Sequence, residues 1–251
     1  WIAELQRTRD RFRDARGRIL FLSLVGAAGT LNSFGKNALK IQQLVADDLR
    51  LDNPSISWQA SRDGMAEWTA LLGLLAGTMG KIANEIMNLM KTEVDEVEEP
   101  FHHGKIGSST MPHKRNPMIC EAVISISRIV RSHVPLAMEV MISEHERDMS
   151  TWQSEWEFIP ESCILTGAIM HQMKFVLGNL IVKPDNMRRN LDLLDGLIMS
   201  EAIMLRLAEF VGRQTAHDIV YEASMEAFEK GIPFRELLVK DKSISSHLSL
   251  G

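Results

Sequence analysis

The sequence predicts an all-α protein built on long helices, and three features of the chain indicate this. Apolar residues recur every three or four positions over stretches of about 25 residues, as on one face of a helix. No stretch alternates apolar and polar residues over more than a few positions, as a half-buried strand would. The 251 residues are 45% hydrophobic and 24% charged, which is typical of a globular protein with a sizeable core.

The first helix is predicted over residues 1–22, where apolar side chains lie on one face and Arg and Asp on the other. Residues 25–35 contain three glycines and form a turn, explained equally well by tight packing between helices and by a wall facing a substrate. A shorter helix follows over 36–51, and Pro54 ends it. From Met65 to Leu89 the apolar spacing approaches a heptad pattern, so this helix needs partner helices on more than one side.

Two further long helices are predicted, from Pro117 to about residue 141 and over a stretch that ends near residue 180. Shorter helices follow over 185–196, 200–210, 213–230 and 233–239. We therefore predict an elongated bundle domain over 1–183, and part of a smaller helical domain over 184–251. Apolar residues on more than one face of a helix, such as Leu71, Leu74 and Leu75, predict that other subunits bury part of the bundle.

Composition and charge exclude several classes of protein. A net charge of -5 and the lack of a Lys/Arg tract argue against binding to nucleic acid. No apolar run is long enough to span a membrane and no signal peptide is visible, so we expect a cytoplasmic protein. Cys120 and Cys163 are predicted to be small buried residues with reduced thiols. We expect no metal, because His102 and His103 have no ligand partner at a suitable spacing.

One stretch differs from the rest of the chain: Gly107-Ser108-Ser109-Thr110-Met111-Pro112-His113-Lys114-Arg115-Asn116-Pro117. It ends a loop over about 100–116 between two long helices, and loops of this length are usually functional. We predict that Asn116 caps the next helix and that Pro117 is its first residue. The open N–H groups of that helix, with Lys114 and Arg115 beside them, would bind an anion. A mobile lid and a plain linker are both compatible with the composition.

This stretch, followed by Glu121, resembles the signature of the fumarase/aspartase superfamily. Similar stretches of that superfamily match the Gly-rich turn at 26–30, the segment from Trp58 to Asp63 and the segment from Thr92 to Pro100. The resemblance implies a homotetramer of long helices whose active sites draw on three subunits and use no cofactor. It also implies a small di- or tricarboxylate substrate, which loses a proton beside a carboxylate and a leaving group from the neighbouring carbon.

Residue roles follow from the same resemblance. Ser108 is implied as the general base, with Ser109 as the competing assignment. Lys114 and Asn116 match positions that hold a substrate carboxylate, and Glu121 matches a supporting catalytic position. The remaining substrate contacts are implied on both sides of these residues, at Ser109, Thr110, Met111, Arg147, Trp152 and Trp156.

Two branches of the superfamily compete for the chain. Adenylosuccinate lyases, which release fumarate in purine synthesis, resemble it at 147–150, 183–187 and 233–237. Cycloisomerases of 3-carboxy-cis,cis-muconate, from the protocatechuate branch of aromatic catabolism, resemble it at 144–147, at 155–157 and at Trp152. In the lyases a Ser and an Arg contact the nucleotide phosphate where this chain has Trp152 and Trp156, which have one N–H donor each and no charge. We therefore favour the cycloisomerase, although two core tryptophans are an alternative.

The superfamily's upstream segment, which supplies a histidine to the active site, has no counterpart here. We expect that the N-terminal domain and this segment lie upstream of residue 1. Catalysis by the chain alone is then not expected, which leaves a third hypothesis from another class. The chain would be a truncated helical oligomerisation domain that assembles without turning over a substrate.

Overall fold

The computed structural model describes residues 1–101, 110–111 and 113–248. Over these residues it contains ten α-helices and two strands of two residues each, so the predicted all-α fold is confirmed. The strands are β1 (Val97–Glu98) and β2 (Ile181–Val182), and they pair with each other. Within the described part of the chain, no helix is long and apolar enough to cross a membrane.

The chain divides into two compact units. The first comprises Trp1–Lys91 and Val97–Ile181, and the second comprises Thr92–Glu96 and Val182–Gly251. The first unit holds helices α1 (Ile2–Ile19), α2 (Ala38–Leu49), α3 (Asp63–Leu89), α4 (Met118–Glu139) and α5 (Met149–Gly178). The second holds α6 (Pro184–Leu191), α7 (Ser200–Val211), α8 (Arg213–Lys230), α9 (Phe234–Lys240) and α10 (Lys242–Ser245). The predicted domain boundary between residues 183 and 184 remains our proposal.

Helix α3 is the centre of the first unit, and it packs against α1, α4 and α5. Its 27 residues extend about 40 Å at 1.5 Å per residue. The heptad-like spacing explains its burial, because Leu72, Met79 and Ile86 are all nearly inaccessible to solvent. A Cβ atom at Gly73 would lie 2.6 Å from a methyl carbon of Val134 on α4, so the close approach of these helices requires a glycine there.

Several long helices keep large apolar side chains exposed. On α3, Leu71 is buried, whereas Leu74 is 51% exposed. Similar exposure occurs along α4 and α5, at Ile129, Leu136, Ile164 and Phe175. Apolar area of this extent on a bundle surface is typical of helices that pack against further subunits.

The second unit has its own apolar core, made by α7 to α10 around Leu207, Ala216, Phe234 and Ile244. Its first segment, Thr92–Glu96, comes from the acidic stretch that follows α3. Asp95 has a positive φ of 50° and accepts hydrogen bonds from the ammonium of Lys183 at 2.5 Å and the amide of Asn186 at 2.8 Å. This acidic stretch is therefore a structured turn.

Candidate active site

The signature stretch approaches α4 from its N-terminal side. Ser108 and Ser109, the two candidate bases, lie outside the described residues, as do His102 and His103. Thr110, Met111 and Lys114 are exposed. The backbone N–H of Lys114 donates to the carbonyl of Met111 at 3.0 Å, so a turn fixes the backbone that carries the predicted carboxylate-binding lysine.

The two ends of the loop are joined by Arg115. Its guanidinium forms an ion pair with Glu98 of β1. The same group lies 4.4 Å from the centroid of the Phe101 ring, a cation–π distance. Residues at the two ends of the loop therefore meet at one side chain. The sequence did not predict this contact, because Arg115 was assigned to anion binding.

The start of α4 differs from the prediction. The helix begins at Met118, its capping position is Pro117, and no side-chain hydrogen bond from that position caps the helix. Asn116 instead accepts the N–H of Met118 with its backbone carbonyl at 2.9 Å. The prediction that Asn116 is the N-cap and Pro117 the first helical residue is wrong. A residue outside the signature stretch accepts the backbone N–H groups at the start of α4.

That residue is Glu99, whose side chain is almost completely buried. Its carboxylate accepts the backbone N–H of Ile119 at 3.2 Å and that of Cys120 at 2.6 Å. The predicted anion site at this helix start is therefore occupied by the protein's own carboxylate, and the prediction of open N–H donors for a substrate is wrong. Of the predicted donors at this position, the Lys114 ammonium and the Asn116 amide remain candidates.

Cys120 and Glu121 occupy the first turn of α4. Cys120 is completely buried, and burial first, then the neighbouring Glu99, raises the pKa of its thiol far above the ordinary value. Glu121, the predicted supporting catalytic residue, is exposed. Cys163 on α5 is exposed, so the prediction of two buried cysteines is wrong for that residue.

The other predicted substrate contacts lie at the start of α5. Asp148 caps this helix, accepting the N–H of Ser150 at 2.9 Å and its hydroxyl at 2.6 Å. These two donors lower the pKa of Asp148, the Ser150 hydroxyl most of all. The cap fixes the direction in which α5 leaves the preceding loop, and so places the side chains of its first turns.

Arg147 and Trp152 are in contact. The Arg147 guanidinium donates to the carbonyl of Ala27 at 2.8 Å and lies 4.7 Å from the centroid of the Trp152 ring. Trp152 is half-buried, whereas Trp156, one turn further, is 62% exposed. The alternative that both tryptophans belong to the core is therefore wrong for Trp156 within this chain.

Three side chains from distant parts of the chain donate hydrogen bonds to the Gly-rich turn beside Arg147 and to the segment that leads into it. Trp58 donates its indole N–H to the carbonyl of Leu22 at 2.9 Å. Gln42 of α2 donates to Leu24 at 2.9 Å, and Arg147 donates to Ala27. These donors hold the backbone carbonyls of Leu22, Leu24 and Ala27, and sequence patterns could not reveal them because they come from distant parts of the chain.

A buried ion pair also escaped the sequence analysis. Arg62, which precedes α3, forms a two-point contact with the carboxylate of Glu155 on α5, and both side chains are only 8% exposed. The Arg62 guanidinium also lies 5.5 Å from the centroid of the Trp58 ring. The pair ties the start of α3 to the helix that carries Trp152 and Trp156.

The described residues contain no group of three or more His, Cys, Asp or Glu side chains placed to hold a metal ion. The predicted site residues instead fall at the starts of two helices, with Lys114, Asn116 and Glu121 at α4 and Arg147, Trp152 and Trp156 at α5. Such an arrangement provides cations, amides and aromatic surface.

Comparison with known proteins decides the family. Residues 1–132, more than half of the chain, match the family described as Lyase, and residues 196–250 match the adenylosuccinate lyase C-terminus. The chain belongs to the lyase family of the fumarase/aspartase superfamily. This confirms the resemblance inferred from the signature stretch.

Individual members of the superfamily differ in the reactions that their names state. The chain is 42% identical to the N-acetyl-S-(2-succino)cysteine lyase of Dickeya dadantii, over 99% of the chain and 55% of that protein. It is 41% identical to the adenylosuccinate lyase of Pyrococcus abyssi, over 99% of the chain and 56% of that protein. It thus spans about half the length of these relatives.

The fold also matches solved structures of the superfamily. The 3-carboxy-cis,cis-muconate lactonizing enzyme from Pseudomonas putida superposes with a TM-score of 0.87 and 35% identity. The alignment covers 98% of this chain and 54% of that one. Lyases and cycloisomerases therefore share the helical fold described above, and fold alone does not select a reaction.

Proposed function

We propose that the full-length protein is a cytoplasmic homotetrameric lyase or cycloisomerase that acts on a small tricarboxylate without a phosphate group. The observation that carries the proposal is the contact of Arg147 with both Ala27 and Trp152. Its guanidinium already has a carbonyl acceptor and an aromatic face. The two positions on α5 where adenylosuccinate lyases carry further phosphate donors hold Trp152 and Trp156.

A phosphate dianion is bound best by several charged or hydroxyl donors, of which arginine is the strongest. An indole offers one N–H and no charge. In Trp152 that N–H is buried, with no partner among the described residues. The indole ring of Trp156 is largely exposed and presents an apolar face. A planar or flexible substrate with carboxylates and no phosphate fits such a surface better than a nucleotide.

The chemistry is a proton transfer beside a carboxylate. Removing that proton gives a carbanion whose charge spreads into the carboxylate, so two negative charges crowd one group. Preorganised cationic and amide donors stabilise this charge. We assign this role to Lys114 and Asn116, the proton transfer to Ser108, and a supporting role to Glu121. Ser109, Thr110 and Met111 complete the substrate contacts, and the chemical step uses no cofactor.

Two substrates satisfy this description. The first is 3-carboxy-cis,cis-muconate, in which one carboxylate adds across a double bond to close a lactone while a proton is exchanged at the neighbouring carbon. The second is N-acetyl-S-(2-succino)cysteine, whose succino group would lose a proton from one carbon while the C–S bond at the neighbouring carbon breaks, giving fumarate and N-acetylcysteine. Each carries three carboxylates, and each is named in a protein similar to this chain.

Adenylosuccinate is the competing substrate. It is favoured by the match of residues 196–250 to the adenylosuccinate lyase C-terminus and by a relative with 41% identity. Phosphate recognition distinguishes it from the two tricarboxylates.

The full-length protein should be assayed on the three substrates separately. We expect turnover of a tricarboxylate and none of adenylosuccinate. The Ser108→Ala variant should lose turnover while its mass in solution is unchanged, whereas Ser132→Ala, an exposed serine on α4, should keep full activity. Efficient release of fumarate from adenylosuccinate would overturn the proposal, and an active Ser108→Ala variant would overturn the base assignment.

A further inference from the structure

We propose that Arg115 is a positioning residue, which fixes Lys114 through contacts with Glu98 and Phe101 and does not bind substrate itself. The inference rests on the proposed function, because it concerns which of two adjacent cations meets the substrate carboxylate. Glu98, Phe101 and Arg115 together form a clamp.

The clamp engages the guanidinium of Arg115 in two contacts within the protein. One N–H of Arg115 donates to the carboxylate of Glu98, and the central carbon of the guanidinium lies 4.4 Å from the centroid of the Phe101 ring. Bidentate recognition of a carboxylate uses two neighbouring N–H groups of a guanidinium, and the Nη1 group of Arg115 is already bonded to Glu98. Binding a substrate carboxylate there would bring a second anion beside Glu98.

Burial makes the pair difficult to separate. The side chain of Glu98 is 9% exposed, whereas that of Arg115 is 49% exposed. If Arg115 turned towards a substrate, its ion pair with a nearly buried carboxylate would have to open, which is unfavourable. The charge of Arg115 therefore neutralises Glu98. Because Glu98 belongs to β1, this strand determines where the Arg115 side chain lies.

Lys114 has the opposite surroundings. Its side chain is exposed, and within the described part of the chain no carboxylate pairs with its ammonium. Its backbone is fixed on one side by the hydrogen bond to Met111 and on the other by Arg115 in the clamp. A flexible side chain on a fixed backbone reaches a limited volume, so the clamp determines where the ammonium meets a carboxylate.

The test compares Glu98→Gln, Arg115→Gln and the double variant in the full-length protein. If Arg115 only positions Lys114, each single change should lower kcat/KM about 100-fold, the scale of a small misplacement of reacting groups. The double variant should lose little more than either single variant, because both remove the same contact. Arg206→Gln, from an exposed ion pair with Glu209, is the matched control and should have no effect.

Binding of tricarballylate, a non-reacting tricarboxylate, gives a readout that does not need turnover. The clamp variants should weaken its Kd about tenfold or more, as Lys114→Met does, and amide exchange over residues 113–120 should become faster. If Glu98→Gln leaves binding unchanged or tightens it, Arg115 is a substrate ligand and the inference is overturned. If the wild-type protein binds tricarballylate but turns over no candidate substrate, the proposed function fails while these binding results still decide the role of Arg115.

Discussion

The carboxylate of Glu99 accepts the backbone N–H of Cys120 at 2.6 Å, 21 positions further along the chain. With its second bond, to Ile119, it closes the start of α4 from the segment that precedes the signature loop. A helix start carries positive dipole potential and unpaired N–H groups, and a buried carboxylate satisfies both. Two neighbouring acidic residues just before the loop therefore hold its far end. Glu98 does so through Arg115, and Glu99 does so through the backbone of α4.

Replacing Glu99 should destabilise the protein in graded steps. Glu99→Gln keeps one oxygen acceptor but loses the charge at the helix start, and it should cost roughly 1 kcal/mol of unfolding free energy. Glu99→Ala removes the acceptor of the half-buried N–H of Ile119 and of the buried N–H of Cys120, and should cost about 2–3 kcal/mol. Urea unfolding measures both. Glu93→Gln, an exposed carboxylate nearby, is the control, and equal effects at both positions would argue against the cap.

The two thiols should react at very different rates. Burial and the neighbouring Glu99 raise the pKa of Cys120, and the thiolate is the reactive form. Cys163 is exposed, with its sulfur 3.3 Å from the indole nitrogen of Trp68. Treatment of the native protein with iodoacetamide, followed by peptide mass spectrometry, should find Cys163 modified first. Modification of Cys120 at a similar rate would show that the start of α4 opens readily.

Breaking the Arg62–Glu155 pair should be among the most damaging single changes. Glu155→Ala leaves a buried guanidinium without its anion and should cost about 3–5 kcal/mol. Replacing both partners by apolar residues, Arg62→Met with Glu155→Leu, should recover most of that loss. Glu157→Ala, exposed on the same helix, should change stability by less than about 0.5 kcal/mol. Thermal and urea unfolding both report these differences. If the stability losses of the two changes simply add in the double variant, the two side chains do not stabilise the protein as a pair.

The Asp148 cap should make stability depend on acid. Its pKa lies below the ordinary value of 3.8 because the hydroxyl of Ser150, and then its N–H, donate to the ionised form. A folded-state pKa below the unfolded one stabilises the protein above the ordinary pKa, and this contribution disappears as the pH falls from there through the folded pKa. Asp148→Asn still caps the helix but does not ionise, so its urea midpoint should fall less between about pH 5 and 2. Parallel curves for variant and wild type would exclude this carboxyl as a source of acid sensitivity.

Periodicity predicted the long helices well because their burial follows directly from apolar spacing. Helices α1, α3 and α4 begin and end within a few residues of the predicted bounds, and α8 matches them at both ends. The start of α4 was misplaced because an Asn-Pro pair is a local signal, and a carboxylate from outside the segment satisfied the helix start instead. Cys163 was predicted to be buried because a helical pattern does not state which face of a helix meets solvent.

By itself, the sequence determined the helical class and, through the stretch from Gly107 to Pro117, membership of the superfamily. Only the tertiary structure decided which charged groups are already paired. It assigned Arg115 to Glu98, Arg147 to Ala27 and Trp152, and the start of α4 to Glu99. The physical reason is that the spacing of nearby residues determines helix periodicity. The pairing of a charge depends instead on groups brought together from distant parts of the chain.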